Sequence, residues 1–336
     1  MDLSDARWFA VDLHVPDRRF GVLQIGDDVV DRASFLDTRL PAPLASAAPL
    51  AVAEAAKARL PRAPVGWLMH TSFCASTLLA RALHVPPHAV ALKEPLVLRR
   101  LSDAHKSGWS LDGLVAPTVA LLARPWHAGG AVVVKPTHVA LNVAPQLMTA
   151  TPGRRGVVVT SSLDDFLISN LKKDAETQAK IPTLVERALK AAPGFRGKLA
   201  AAALAPPDPV CAAGVQWAAQ RELVCDAITT VGAARLRVLD MDELLRDVPA
   251  ATVAVARWLE LGIPDDALAR HAAAAATHNA KALEVGYGPE QRAREAAMVT
   301  SHFRGELARG RAWLDAHVLP KMRAAARDTP AAWTSA

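Results

Sequence analysis

Gly66-Trp67-Leu68-Met69-His70-Thr71-Ser72-Phe73-Cys74-Ala75-Ser76-Thr77-Leu78-Leu79-Ala80-Arg81-Ala82-Leu83 runs from a continuous apolar segment, through a short polar turn, into a pattern of helical period. The first part predicts a buried strand, Thr77 onward predicts a helix, and His70 to Ser76 is the junction between them. Such junctions in α/β proteins attract anions, because free N–H groups converge there with a helix dipole worth about +0.5 charge. Thr71, Ser72, Ser76 and Thr77 add hydroxyl donors, so residues Thr71 to Thr77, with Phe73, Cys74 and Ala75 between them, form a candidate phosphate cradle. The plainer alternative is that Ser76 and Thr77 only cap a helix. The Gly-x-x-x-x-Gly-Lys-Ser/Thr loop of ATPases and GTPases is absent, since Ala75 stands where its last Gly belongs and no Lys precedes Ser76.

Outward from this junction, apolar runs at 89–92, 131–134, 156–160 and 235–239 alternate with helical stretches, among them 140–148 and 163–172. Repeated strand-then-helix order demands parallel strands with crossover helices, because parallel neighbours cannot be joined by a tight hairpin. The expected fold is a three-layer α/β architecture with a doubly wound, mainly parallel sheet. Residues 174–225 read as helix broken at Pro182, Pro193 and the 206–209 cluster, and residues 241–327 as a helical C-terminal part. At the other end, 8–14 and 20–25 alternate as a small β-hairpin, followed by a Pro- and Ala-rich connector at 41–49 and a short helix at 51–59. The expected division is a small N-terminal unit, residues 1–60, packed on a main domain, residues 61–336.

Composition narrows the function. Of 336 residues 51% are apolar, yet no run is long enough to span a bilayer, so no membrane partner is expected. The first 15 residues carry Asp2, Asp5 and Asp12 and lack a basic start before an apolar run, which argues against a signal peptide and for the cytoplasm. Three cysteines without metal-ligand spacing fit a reducing compartment and suggest no metal. The net charge of +6 favours anionic ligands, but only 5% of residues are aromatic and no basic tract interleaves with them, so a nucleic-acid surface is not expected. An anionic, nucleotide-like small molecule suits better.

Single residues admit competing readings. Cys74 at a helix start resembles a thiolate nucleophile, but a Cys-x5-Arg loop needs Arg at residue 80, which is Ala, leaving small-residue packing. Glu94 in Lys93-Glu94-Pro95 either positions an acceptor hydroxyl or pairs with Lys93. His138, after the third strand, is either a base or a surface histidine; an imidazole of ordinary pKa, about 6.5, is mostly neutral and able to accept a proton at pH 7.

The 70–83 stretch, together with Lys93-Glu94-Pro95, Phe35-Leu36-Asp37, Asp164-Asp165-Phe166 and Asp240-Met241-Asp242-Glu243-Leu244, resembles the P-loop sulfotransferase superfamily, in particular bacterial members with a His-Thr-x-Phe-Cys-x-Ser-Thr-Leu-Leu-Ala-Arg-Ala-Leu segment. The resemblance extends over residues 30–285. It implies a sulfotransferase-like P-loop fold and transfer of a sulfuryl group from PAPS (adenosine 3′-phosphate 5′-phosphosulfate) to a hydroxyl or amine of a small-molecule acceptor, leaving PAP. It implies that Thr71 to Thr77 hold the 5′ group, that Ser161 and Ser169 lie at the 3′-phosphate, and that Lys135 and His138 of Lys135-Pro136-Thr137-His138 are catalytic, His138 as base. The chain departs from the family pattern in four places: Lys135-Pro136-Thr137-His138 has one residue more between Lys and His than the Lys-Thr-His element it resembles, and three positions are substituted. Phe73 replaces the loop Lys or Arg, Ala75 replaces a Gly, and Ser161 replaces the Arg that would grip the 3′-phosphate bidentately. Lys93, Lys135 or Arg81 would have to supply the missing loop charge, and Lys172-Lys173 that missing at Ser161. Lys281 in His278-Asn279-Ala280-Lys281 is a further cation that would reach an anion. The departures also keep open a protein of this fold that binds a nucleotide or partner without transfer, and, less so, a metabolite kinase.

Overall fold

A computed structural model describes residues 1–40 and 43–328. Ten strands are present among them. Five form the central sheet: β4 (Val65–His70), β5 (Ala89–Lys93), β6 (Ala131–Lys135), β7 (Gly156–Thr160) and β8 (Leu236–Asp240). They lie in the order β5-β6-β4-β7-β8 and every pair is parallel. The period-2 alternation of strand side chains divides them between two cores. Trp67, Met69, Val90, Leu92, Val132, Val134 and Val158 face one, while Leu68, Ala91, Val133, Val157 and Val159 face the other. Both faces are covered, so the inner strands are apolar throughout, as the runs of Val and Ala require. The result is the expected three-layer, doubly wound α/β fold.

One covering layer contains the helices Ser76–Ala82, Val248–Trp258 and Asp265–Ala275. The other is centred on the helix Pro209–Val231, which opens with Asp208 accepting a hydrogen bond from the Cys211 N–H at 2.8 Å and Pro209 at its first position. This helix is buried nearly all round because the helices Leu163–Leu171, Ile181–Ala191 and Arg304–His317 enclose it. Two glycines set the closest of these approaches: a Cβ on Gly214 would lie 2.2 Å from Leu314, and one on Gly310 would lie 2.6 Å from Val210.

The N-terminal hairpin, β1 (Trp8–His14) and β2 (Arg19–Gln24), gains a third antiparallel strand, β3 (Ala48–Ala51), from the segment expected to be a connector; Pro41 and Ala42 of that segment lie outside the described residues. Ala-Pro-Leu-Ala has no strand signature of its own, and its pairing is imposed by the edge that β2 presents. The buried guanidinium of Arg124 holds this sheet by donating to the carbonyls of Leu3, Asp5 and Trp8 at 2.7–2.9 Å. Near the C-terminus a short hairpin, β9 (His278–Asn279) with β10 (Ala282–Gly286), lies between helices of the part that was expected to be helical in several pieces. No helix among the described residues is long and apolar enough to cross a membrane.

From β4 the chain crosses to β5, returns through β6 beside β4, and then continues on the other flank with β7. The carboxyl ends of β6, β4 and β7 therefore diverge around a crevice, the place where open α/β sheets bind ligands.

Candidate functional site

The turn after β4 is held from three sides. Thr71 N–H donates to the Val159 carbonyl at 3.0 Å, and the Thr71 carbonyl accepts from His70 Nδ1 at 2.8 Å and from Cys74 Sγ at 3.0 Å. Gln220, on the helix Pro209–Val231, clamps Ser72: its Oε1 accepts from the Ser72 N–H at 2.8 Å and its Nε2 donates to Ser72 Oγ at 3.0 Å. The backbone then turns through two left-handed non-glycine residues, Phe73 (φ 56°) and Ala75 (φ 60°), each costing on the order of 1 kcal/mol. Among the described residues the N–H groups of Phe73, Cys74, Ala75 and Thr77 have no acceptor, so the turn presents free donors to whatever lies beyond it. Burial raises the Cys74 thiol pKa, and Cys74 is a packing residue, not a thiolate.

A second group of side chains gathers at the neighbouring strand ends. Lys135, fully buried at the end of β6, donates to Glu94 Oε1 at 2.5 Å, and the Glu94 N–H donates to the Lys135 carbonyl at 2.7 Å. Glu94 is itself left-handed (φ 57°), which turns its carboxylate toward β6. It therefore pairs with Lys135 and not with Lys93, the partner adjacent in sequence. Burial alone would raise the Glu94 pKa, but the Lys135 ammonium overrides it and holds the group at about 2. His70 and His138 flank this pair with ring centroids 6.2 Å apart, and His70 Nε2 lies 3.7 Å from Glu94 Oε1. Because His70 Nδ1 carries the proton given to Thr71, its Nε2 bears a lone pair. Burial, reinforced by Lys135, lowers His70 to a pKa of about 3; burial lowers His138 to about 4 against the opposing pull of Glu94. Both rings are neutral at pH 7.

Buried polar atoms without a partner cluster here: His70 Nε2, His138 Nε2, Thr71 Oγ1, Thr160 Oγ1, Ser161 Oγ and Gln216 Oε1. Native interiors rarely leave such atoms unpaired, and six around one crevice mark a place built for a polar ligand.

The crevice opens into a cleft of about 1020 Å³. Ser72, Phe73, Cys74, Ala75, Ser76, Thr77, Glu94, His138 and Ser169 line it; Thr71, Lys135 and Ser161 sit behind the wall, and Lys135 acts on the cleft through Glu94. The charge missing at position 73 does not come from Lys93 or Arg81. Lys93 Nζ donates to the Val30 carbonyl at 2.6 Å. Arg81 donates to the carbonyl of Ala280 at 2.5 Å and of Arg32 at 3.2 Å, and to Ser34 Oγ at 3.0 Å. Lys173 is better placed, its Nζ 5.5 Å from the centroid of the Phe73 ring, and Phe73 also meets Phe166 edge-on at 5.4 Å. Lys281, from the β9–β10 turn, approaches the cleft over Phe35; loss of hydration around its ammonium and repulsion by Lys173 lower its pKa, although the residue as a whole is exposed.

Sequence reasoning missed Gln216 and Gln220, which project from the middle of a long apolar helix, and Arg39, Arg99, Arg187 and Arg292, which line the cleft from four separate segments. The cleft combines these cations with Lys172, Lys173, Arg246 and Lys281 against the carboxylates of Asp37, Glu94, Asp242 and Glu295, so it is electropositive. No group of three or more metal-ligating side chains is assembled among the described residues.

No family model matches the chain, and no curated protein matches it. Among solved structures it is similar to the sulfotransferase domain from the curacin biosynthetic pathway, at 11% identity and a TM-score of 0.39, over 74% of this chain and 99% of that domain.

Proposed function

We propose that the chain transfers a sulfuryl group from PAPS to a hydroxyl or amine of a small molecule. The observation that carries this reading is the opening of two groups onto one cationic cleft: a turn of free backbone N–H donors and a neutral histidine backed by a buried carboxylate–lysine pair. The residues fit the cofactor at its 5′ end, where unpaired N–H groups, Ser76 and Thr77 suit a phosphosulfate. At the 3′ end Ser169 and the adjacent Lys172 and Lys173 line the cleft and would receive a phosphate, while Ser161 stays behind them with its hydroxyl unpaired.

PAPS, when bound, supplies a sulfuryl group whose bridging S–O bond breaks with its electron pair leaving on PAP. His138 Nε2 takes the proton of the attacking hydroxyl or amine as the new S–O or S–N bond forms. Glu94, ionised at pH 7, stabilises the imidazolium so produced, and Lys135 keeps Glu94 ionised and oriented. Lys173 offsets charge developing beside the turn. Catalysis on this reading rests on positioning and electrostatics, with no covalent enzyme intermediate.

Calorimetric titration with PAP and with AMP tests the cofactor. PAP should bind in the micromolar range, AMP more weakly, and Ser76→Ala and Ser169→Ala should each weaken PAP by about tenfold. No binding of either nucleotide to folded protein would sink the proposal, as would stabilisation by ATP with magnesium alone. Phe73 and Ser161 at two positions where cations are expected favour a second reading, binding without transfer. His138→Gln separates the two: it abolishes turnover and spares PAP affinity if the chain is an enzyme, whereas a non-catalytic protein binds PAP and sulfates nothing.

A further inference from the structure

The wall beside His138 carries charge that the transfer step does not use. Arg99, on the helix Leu96–Lys106, and Arg187, on the helix Ile181–Ala191, line the cleft alongside Thr137 and His138. With Lys106 they share a single carboxylate, Asp103, at 3.7 Å, 3.6 Å and 2.8 Å for Arg99, Arg187 and Lys106. The two guanidinium distances exceed hydrogen-bond length, and neither arginine donates a side-chain hydrogen bond among the described residues, so two planar forks of donors are uncommitted. One carboxylate cannot balance three cations. The placement of Arg99 relative to the base is fixed, because Ser102 Oγ donates to the Val139 carbonyl at 2.5 Å and so ties the helix bearing Arg99 to the turn bearing His138.

Two members of this wall, Arg99 and His138, are topologically apart from the nucleotide side, and Arg187 reaches them from the helix that comes after β7. The donors assigned to PAPS follow β4 and β7, whereas Arg99 and His138 follow β5 and β6, on the other flank of β4. An unpaired, fully buried His138 Nε2 next to uncommitted guanidiniums describes a pocket for a molecule that offers a proton at one point and negative charge at another. We propose that the acceptor is an anion: the hydroxyl or amine deprotonated by His138 belongs to a molecule whose carboxylate or phosphate is bound by Arg99 and Arg187. This rests on the sulfotransferase reading above and deepens it.

The test is a titration of PAP-saturated protein with inorganic phosphate and, separately, with acetate, read by the nitrogen-15 resonances of the His138 imidazole. One of the anions should shift them along a saturable curve, phosphate pointing to a phosphorylated acceptor and acetate to a carboxylated one. Arg99→Gln and Arg187→Gln should each weaken that binding by about tenfold or more, and Lys198→Gln, an exposed site outside the cleft, should leave it unchanged. No response to either anion in the wild type, or an undiminished response in both arginine variants, overturns the proposal. If the arginines served only to join their helices, the variants would lower the melting temperature and leave the titration as it was, which also overturns it. If PAP fails to bind, the sulfotransferase reading falls, and the same titration without PAP still decides whether the anion subsite exists.

Discussion

Strands β5 and β6 end almost alike, Ala-Val-Ala-Leu-Lys93 and Ala-Val-Val-Val-Lys135, and lie side by side with Lys93 opposite Lys135. Both lysines are fully buried. Lys135 meets the Glu94 carboxylate at 2.5 Å, whereas Lys93 finds the Val30 carbonyl, and burial, with repulsion from Arg81 and Lys135, lowers Lys93 to a pKa of about 7. The residue that follows each strand makes the difference. After β5 the left-handed Glu94 folds its carboxylate across to β6, whereas after β6 the chain continues into Pro136, which has neither an N–H nor a charge. Equal burial thus leaves the two lysines in different states, one ion-paired and one held by a neutral carbonyl.

The contrast can be broken by substitution. The largest effect belongs to Lys135→Met, which leaves Glu94 as an uncompensated buried charge and should cost about 3–5 kcal/mol in chemical denaturation at pH 7, much of it recovered by adding Glu94→Gln. Next comes the pH response of the histidines beside that pair. His70 and His138 have folded pKa values of about 3 and 4, below the 6.5 of an unperturbed histidine, so the unfolded chain binds more protons below pH 6.5. Their contribution is fully present above that pH and is lost as pH falls, by ~1.4 kcal/mol per unit for each. Between pH 6.5 and 5, His138→Gln should therefore lose about 2 kcal/mol less than the wild type, in a window above the one where Glu94 titrates. Lys93→Met should stay within about 1 kcal/mol of the wild type at pH 7, because it removes an ammonium that burial already disfavours. A loss as large as that of Lys135→Met would erase the distinction between the two lysines. The smallest effect separates strain that serves a charge from strain that is merely carried: Ala75→Gly should raise the melting temperature slightly, worth about 0.5 kcal/mol, because glycine relieves the left-handed turn but gives back backbone entropy.

The central sheet was legible because its strands are short runs of Val, Ala and Leu separated by helical periods, and β7 falls on residues 156–160 as expected. β3 and the β9–β10 hairpin were not legible, since Ala-Pro-Leu-Ala and His-Asn lack alternation and owe their form to pairing partners. The turn at Thr71 to Thr77 could be read from its order of strand, hydroxyls and helix. The cations around it could not, because Arg99, Arg187 and Lys281 stand more than 80 residues apart in sequence and only the fold brings them to one cleft. Arg81 shows the opposite limit: a basic residue beside a turn of free N–H donors suggests a ligand contact, yet its donors are spent on backbone carbonyls and the Ser34 hydroxyl.

That use of Arg81 binds three distant parts of the chain. It stands on the helix that follows the turn, grips the segment at residues 31–34, and holds the Ala280 carbonyl next to Lys281. In terms of local unfolding, the front of the N-terminal segment and the β9–β10 hairpin cannot be released independently while this clasp is intact. Any opening that lifts Lys281 away from the cleft has to break a bond to a helix directly behind the turn, so access to the site and order in the turn are parts of one cooperative unit.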